Sequence, residues 1–92
     1  MRIKIRAFAS FREILGREIM VEIESGSRVS DLINHLCEIK PELREALFSD
    51  TGELRDYFMI MLNRRRLDLP GDLNADLYDN DEVAIFPPVA GG

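Results

Sequence analysis

The stretch RIKIRAF, residues 2 to 8, alternates in character. Ile3, Ile5 and Ala7 fall on one face, and Arg2, Lys4, Arg6 and Phe8 on the other. A period of two belongs to a half-buried strand, which needs an apolar layer on one side and tolerates solvent on the other. The pattern returns from Glu18 to Ile23, with Ile19, Val21 and Ile23 turned inward, and ESGS ends it. Two such strands close in sequence call for a sheet with one covered face. The cover follows: Val29, Leu32, Ile33 and Leu36 recur at three- and four-residue intervals, as on the buried stripe of a helix. Ser27 or Ser30 is expected to cap that helix, and Asp31 suits the dipole in its first turn.

The remaining segments complete the layer. SFREILG reads as a helix of barely two turns, with Ser10 and Glu13 at capping-box spacing and Gly16 as its left-handed end. Pro41 opens another short helix, PELREALF, and SDTGEL forms a loop. YFMIML, residues 57 to 62, is apolar throughout, as is a strand covered on both faces or placed centrally in a sheet, and it is the best candidate for the sheet centre. After the turn-prone NRRR, RLDL is expected to pair beside it. PGDLNADLYDND is irregular until EVAIF forms the closing strand.

Composition excludes whole classes of function. With 92 residues, 46% of them apolar, the chain supports one small domain with one core. Its apolar runs fall far short of the ~20 residues of a membrane helix, and its start alternates where a signal peptide is continuously apolar. A net charge of −5 disfavours nucleic acid, and a single cysteine fits a reducing cytoplasm. His35 and Cys37 lie two apart on a helix and point in different directions, so they do not make a nucleophile and base pair. Cys37 reads as a small core residue and His35 as solvated. DNDE lacks the rest of a calcium loop and reads as a tight turn around Asn80, its aspartates solvated. The arginines at 64 to 66 either grip an acidic partner or form a charged hairpin tip. No phosphate loop, zinc spacing or paired-carboxylate site occurs, so neither an independent enzyme nor a bound metal or cofactor is expected.

What remains is the end of the chain, PPVAGG. We divide the sequence into a domain, residues 1–86, and a flexible tail, residues 87–92. Pro87 and Pro88 favour an extended conformation, so the tail reaches roughly 18 Å at about 3.1 Å per residue. Val89 and Ala90 add little bulk, and Gly91 and Gly92 make the thinnest tip a chain can have. Such a probe can thread a narrow channel and present its terminal carboxylate, the only reactive group at the tip. An ionised carboxylate is a poor electrophile and needs ATP-dependent activation by a partner, as an acyl adenylate, before a sulfur or nitrogen nucleophile attacks. The plain alternative is an inert stub.

Strand, strand, helix, strand, strand in a chain this short argues an α+β domain, a mixed sheet with one main helix packed on one face, and matches the ubiquitin-like β-grasp. LYDNDEVAIFPPVAGG, with the earlier FASFREILG, resembles the molybdopterin synthase small subunit and its sulfur-carrier relatives. That resemblance implies adenylation of Gly92 by a ubiquitin-activating-type enzyme and conversion to a thiocarboxylate. The tail then enters the large synthase subunit and donates sulfur to a cyclic pterin phosphate. The family's interface positions match Arg12 and Phe86. Parity turns Phe86 away from the core, as it does Phe8, so the two rings either make an apolar docking patch at the root of the tail, beside Arg12, or simply cover one another or a loop. Two departures stand out: DND replaces the family's usual Asp-Gly-Asp, and residues 41 to 57 look longer than in compact bacterial members. The latter resembles the archaeal branch, which includes small modifiers attached to lysines through the terminal glycine.

Overall fold

The computed structural model describes residues 1–55 and 58–87. In chain order its elements are β1 (Arg2–Ala7), α1 (Phe11–Leu15), β2 (Glu18–Glu22), α2 (Val29–Ile39), α3 (Pro41–Leu47), β3 (Met59–Leu62), β4 (Arg65–Arg66) and β5 (Glu82–Phe86), with a 3-10 turn at Gly71–Asn74 before β5. The strands form one sheet in the order β2-β1-β5-β3-β4. β1 and β5 are parallel, and the other pairs are antiparallel. One face is dry: Ile3, Ile5, Ala7, Val21, Ile60, Val83 and Ile85 are buried there. Val29, Leu32, Ile33, Leu36 and Cys37 of α2 and Leu43 and Leu47 of α3 are buried in the same core. This is the mixed sheet with a main helix on one face that alternation and element order implied.

One strand is not where its composition suggested. β5, not β3, holds the centre; β3 lies second from the edge, between β5 and β4. A run without polar residues gives the apolar character of both faces but not the position in the sheet. Ile60 is fully buried on the inner face, whereas Met59 and Met61 on the outer face are only half-buried, opposite Phe86 and Ala84. Tyr57, the first residue of the expected strand, lies outside the described residues.

Both expected serine caps are replaced by other partners. Ser10 already has helical angles and makes no side-chain cap, because the Phe8 and Ala9 carbonyls accept the first amides of α1. Gly16 has the positive φ, 79°, expected after α1, with ψ extended at 178°. At α2 the N-cap is Arg28, whose N–H donates to the Asp31 carboxylate at 2.8 Å. The Val29 N–H donates to the Ala75 carbonyl at 3.0 Å, so tertiary contact does the work of Ser27 or Ser30. The segment before β5 also carries Leu77 into the core, 2% exposed, which its irregular sequence did not indicate.

The turn DND is a junction as well as a turn. Asn80 has φ 69°, the left-handed conformation asparagine tolerates. The Asp79 carboxylate accepts the Arg2 N–H, and Asp81 accepts both the Tyr78 N–H and the Asn63 side-chain amide, each within 2.9 Å. Asn63 in turn accepts the Glu82 N–H at 2.9 Å. The aspartates are thus engaged rather than merely solvated, and they pin the end of β3 to the starts of β1 and β5. Asp81→Ala removes two charge-assisted bonds and should lower stability by about 1 to 2 kcal/mol. Denaturant titration measures it, and an unmoved midpoint would mean that water replaces both bonds without loss.

Candidate functional site

Parallel pairing of β1 with β5 sets Ala7 opposite Ile85, so the next residue of each strand, Phe8 and Phe86, meet on the outer face. The Phe8 N–H donates to the Ile85 carbonyl at 3.1 Å and carries the pairing past the end of β1. The two rings stack, with centroids 4.3 Å apart and planes 9° from parallel. Each ring covers the facing side of the other, yet both remain half-buried, so the stack still offers apolar surface to solvent.

Two guanidiniums flank Phe8. Arg12 on α1 lies 5.4 Å from the ring centroid, and its Nε donates to the Ala7 carbonyl at 3.0 Å. Arg6 lies 5.5 Å from the same ring and 3.7 Å from Glu82. Each cation over a ring face contributes about 0.5 to 1 kcal/mol at an exposed site. The hydrogen bond also holds Arg12, an otherwise exposed side chain, beside the stack. A shallow cavity of ≈ 130 Å³ opens here, lined by Phe8, Phe86, Met61 and Ala84, with Arg6, Arg64 and the Glu82 carboxylate at its polar edge.

The structure therefore brings Phe8, Arg12 and Phe86 together at the end of β5, where the chain passes to a half-buried Pro87. Pro88, Val89, Ala90, Gly91 and Gly92 lie outside the described residues. Reading β3 as a doubly covered strand hid two members of this surface, Met59 and Met61. The signal that could have found them is an apolar residue at every outward position of a strand beside the one that carries Phe86. An apolar centre with arginines and the Glu82 carboxylate at its rim suits protein contact, since aromatic, methionine and arginine side chains are enriched in interface cores.

The chain's only thiol and imidazole form no reactive pair. Cys37 is 2% exposed, and burial pushes its thiol above the ordinary value of 9.0, with Arg44 partly opposing. It stays protonated at neutral pH and is a poor nucleophile. His35, expected to be solvated, is half-buried beside an open acidic groove bordered by Asp31 and Glu38. Among the described residues there is no cluster of three or more metal-ligating side chains, and no helix is long and apolar enough to cross a membrane.

Comparison with known proteins agrees with this geometry. The sequence profile of the ThiS family matches residues 5–92. Small archaeal modifier protein 1 of Haloferax volcanii is 34% identical over 88 residues, 95% of this chain and 97% of that protein. The molybdopterin synthase sulfur carrier subunit of Chlamydomonas reinhardtii is 32% identical over 93 residues, the full length of both. The crystal structure of the Haloferax volcanii modifier superposes with a TM-score of 0.86 at 30% identity, covering all of both chains.

Proposed function

The chain belongs to the ThiS family, and on that premise we propose that it is a sulfur carrier: a protein cosubstrate whose terminal glycine carries the chemistry and whose folded domain docks it. The observation that carries this reading is the stacked pair Phe8–Phe86 with Arg12 beside it, where β5 gives way to the tail. A tail that must enter a partner's active site needs a recognition surface at its root, and this is an apolar patch with a charged rim.

In the proposed cycle the Gly92 carboxylate attacks the α-phosphorus of ATP in a ubiquitin-activating-type enzyme. Pyrophosphate leaves and an acyl adenylate forms. A sulfide nucleophile displaces AMP and leaves a thiocarboxylate. The large subunit of molybdopterin synthase then receives the tail, and the sulfur passes to a pterin substrate. The domain supplies docking and reach, while ATP and the catalytic groups belong to its partners. We place this cycle in the cytoplasm.

A second reading has its own support in the 34% identity to small archaeal modifier protein 1. There a lysine amine displaces AMP and an isopeptide bond results. Both readings use the same activated glycine and separate by mass. Protein isolated from its native cells should carry one oxygen-to-sulfur replacement, about +16 Da, if it is a sulfur carrier, and the mass of a second protein if it is a modifier. Only unmodified carboxylate, in cells supplied with molybdate and sulfur, would count against both.

A further inference from the structure

We propose that the open edge of β2 takes an added antiparallel strand: an extended segment of another protein that carries a lysine or arginine two residues to either side of an apolar one. The proposal stands apart from the carrier reading, since β1 separates β2 from the strand that leads to the tail. β2 is the last strand on its side of the sheet, so one of its backbone edges has no neighbouring strand. Register settles which groups that edge presents. The Met1 ammonium donates to the Ile23 carbonyl at 2.8 Å, the Ile23 N–H returns a bond to the Met1 carbonyl at 3.0 Å, and the Ala7 N–H donates to the Arg17 carbonyl at 3.1 Å. Antiparallel ladders alternate, so Ile19, Val21 and Ile23 turn their backbone groups toward β1 and Glu18, Met20 and Glu22 turn theirs outward. No backbone hydrogen bond among the described residues takes up the N–H or carbonyl of Met20 or Glu22. Glu18 and Glu22 are exposed, and Met20 between them is 48% exposed. A row of unpaired backbone groups is a template for one more strand.

Charge decides which strand fits. On the outer face β1 carries Arg2, Lys4 and Arg6, and β2 sets Glu22, Met20 and Glu18 opposite them. Arg2 lies 3.9 Å from Glu22, but Arg6 leans away to Glu82 at 3.7 Å, and Glu18 has no ion pair among the described residues. A second copy of this chain is the wrong occupant. Antiparallel pairing of two β2 edges about Met20 sets Glu18 against Glu22 twice, and like charges directly opposite destabilise a ladder. A segment with cations at those two positions makes both contacts attractive and lays its apolar residue beside Met20. The chain's own basic edge strand, β4, is only two residues long, too short a ladder to serve. On the inner side of the β2 edge an open groove of ≈ 580 Å³ runs between the end of β2 and α2, with room for the segment's remaining side chains. Glu22, Glu24, Asp31 and Glu38 border it with His35, against one cation, the Met1 ammonium already bonded to Ile23. Both sides of the edge therefore favour a basic segment and disfavour an acidic one.

The test titrates the full-length, isotope-labelled protein with a seven-residue peptide capped at both ends, with lysine at its second and sixth positions, valine at the fourth and threonine elsewhere, followed by NMR. At about 50 mM salt the amides of Met20 and Glu22 should shift saturably and slow in hydrogen exchange, while those of Ile19 and Val21, already bonded to β1, should keep their exchange rates. The double variant Glu18→Gln, Glu22→Gln should bind roughly 5- to 10-fold more weakly with its melting temperature nearly unmoved, as expected for two exposed ion pairs. Methylating the valine nitrogen removes the central N–H donor and leaves every charge in place, so it should abolish binding. No saturable shift with the parent peptide would overturn the proposal. Equal binding of the methylated peptide would do so as well, because it would show charge attraction without a strand. Shifts at Met20 that grow with protein concentration in the absence of peptide would give the edge to a second copy and overturn the assignment of its occupant. Activation of Gly92 is read by none of these outcomes, so the carrier reading stands or falls separately.

Discussion

Deleting Gly92, or adding one alanine after it, is expected to abolish ATP-dependent activation while thermal unfolding stays where it is. The reason is geometric. Nucleophile and reacting carbon must meet at about 3 to 3.5 Å, and one extended residue displaces the carboxylate by roughly 3.1 Å, a full contact distance. In the proposed docking through Phe8 and Phe86 the root of the tail is fixed, so the tip has no room to recover the lost register by sliding. Gly91→Val should act similarly, because a branched side chain then stands where a narrow channel admits backbone alone. The assay follows pyrophosphate release and thiocarboxylate mass for each variant, with melting curves in parallel. Lost activation with an unchanged melting temperature supports a carrier or modifier. Full activation of both the shortened and the lengthened chain would leave PPVAGG an inert stub.

How legible this surface was in the sequence depends on the range of the forces that build it. Facing in β1, β2 and β5 is a local property, so Ile3, Ile5, Val21, Val83 and Ile85 could be assigned inward from a period of two, and all are buried. The meeting of Phe8 and Phe86 needed one further step, the adjacency of the first and last strands, which the element order implied. Sheet position was less accessible. β3 is apolar on both faces, yet its outer residues serve the patch rather than a second buried layer. Helix starts were misread for a related reason: serine spacing records what a side chain can do locally, while Ala75 reaches α2 from more than 40 residues away. Two bonds of the DND turn are also long-range: Asp79–Arg2 spans 77 residues and Asp81–Asn63 spans 18. No local pattern reports such a bond. The tip at Asn63 and Arg64 is the opposite case, because its positive φ is local but runs against what arginine favours, so propensity pointed away from it.

Phe86→Ala should weaken docking to either partner by about 2 kcal/mol, some 30-fold in Kd, while the domain still folds. The ring lies outside the core, so its removal leaves Val83, Ile85 and the buried face of α2 in place. It does cost the stack with Phe8, about 0.5 to 1.5 kcal/mol, and a small fall in melting temperature accompanies the loss of binding. The two phenylalanines form one surface, so Phe8→Ala and the double variant should be non-additive: once one ring is gone, the other has lost its support and costs less to remove. Ile39→Ala, which trims an apolar side chain 43% exposed on α2, provides the control and should leave Kd unchanged. Calorimetric titration against the large synthase subunit and the adenylating enzyme reads the wild type and the four variants on one scale. A Phe86→Ala protein that melts normally and binds both partners at full affinity would leave the stack as mutual cover alone. Docking would then have to rest on the cations around it.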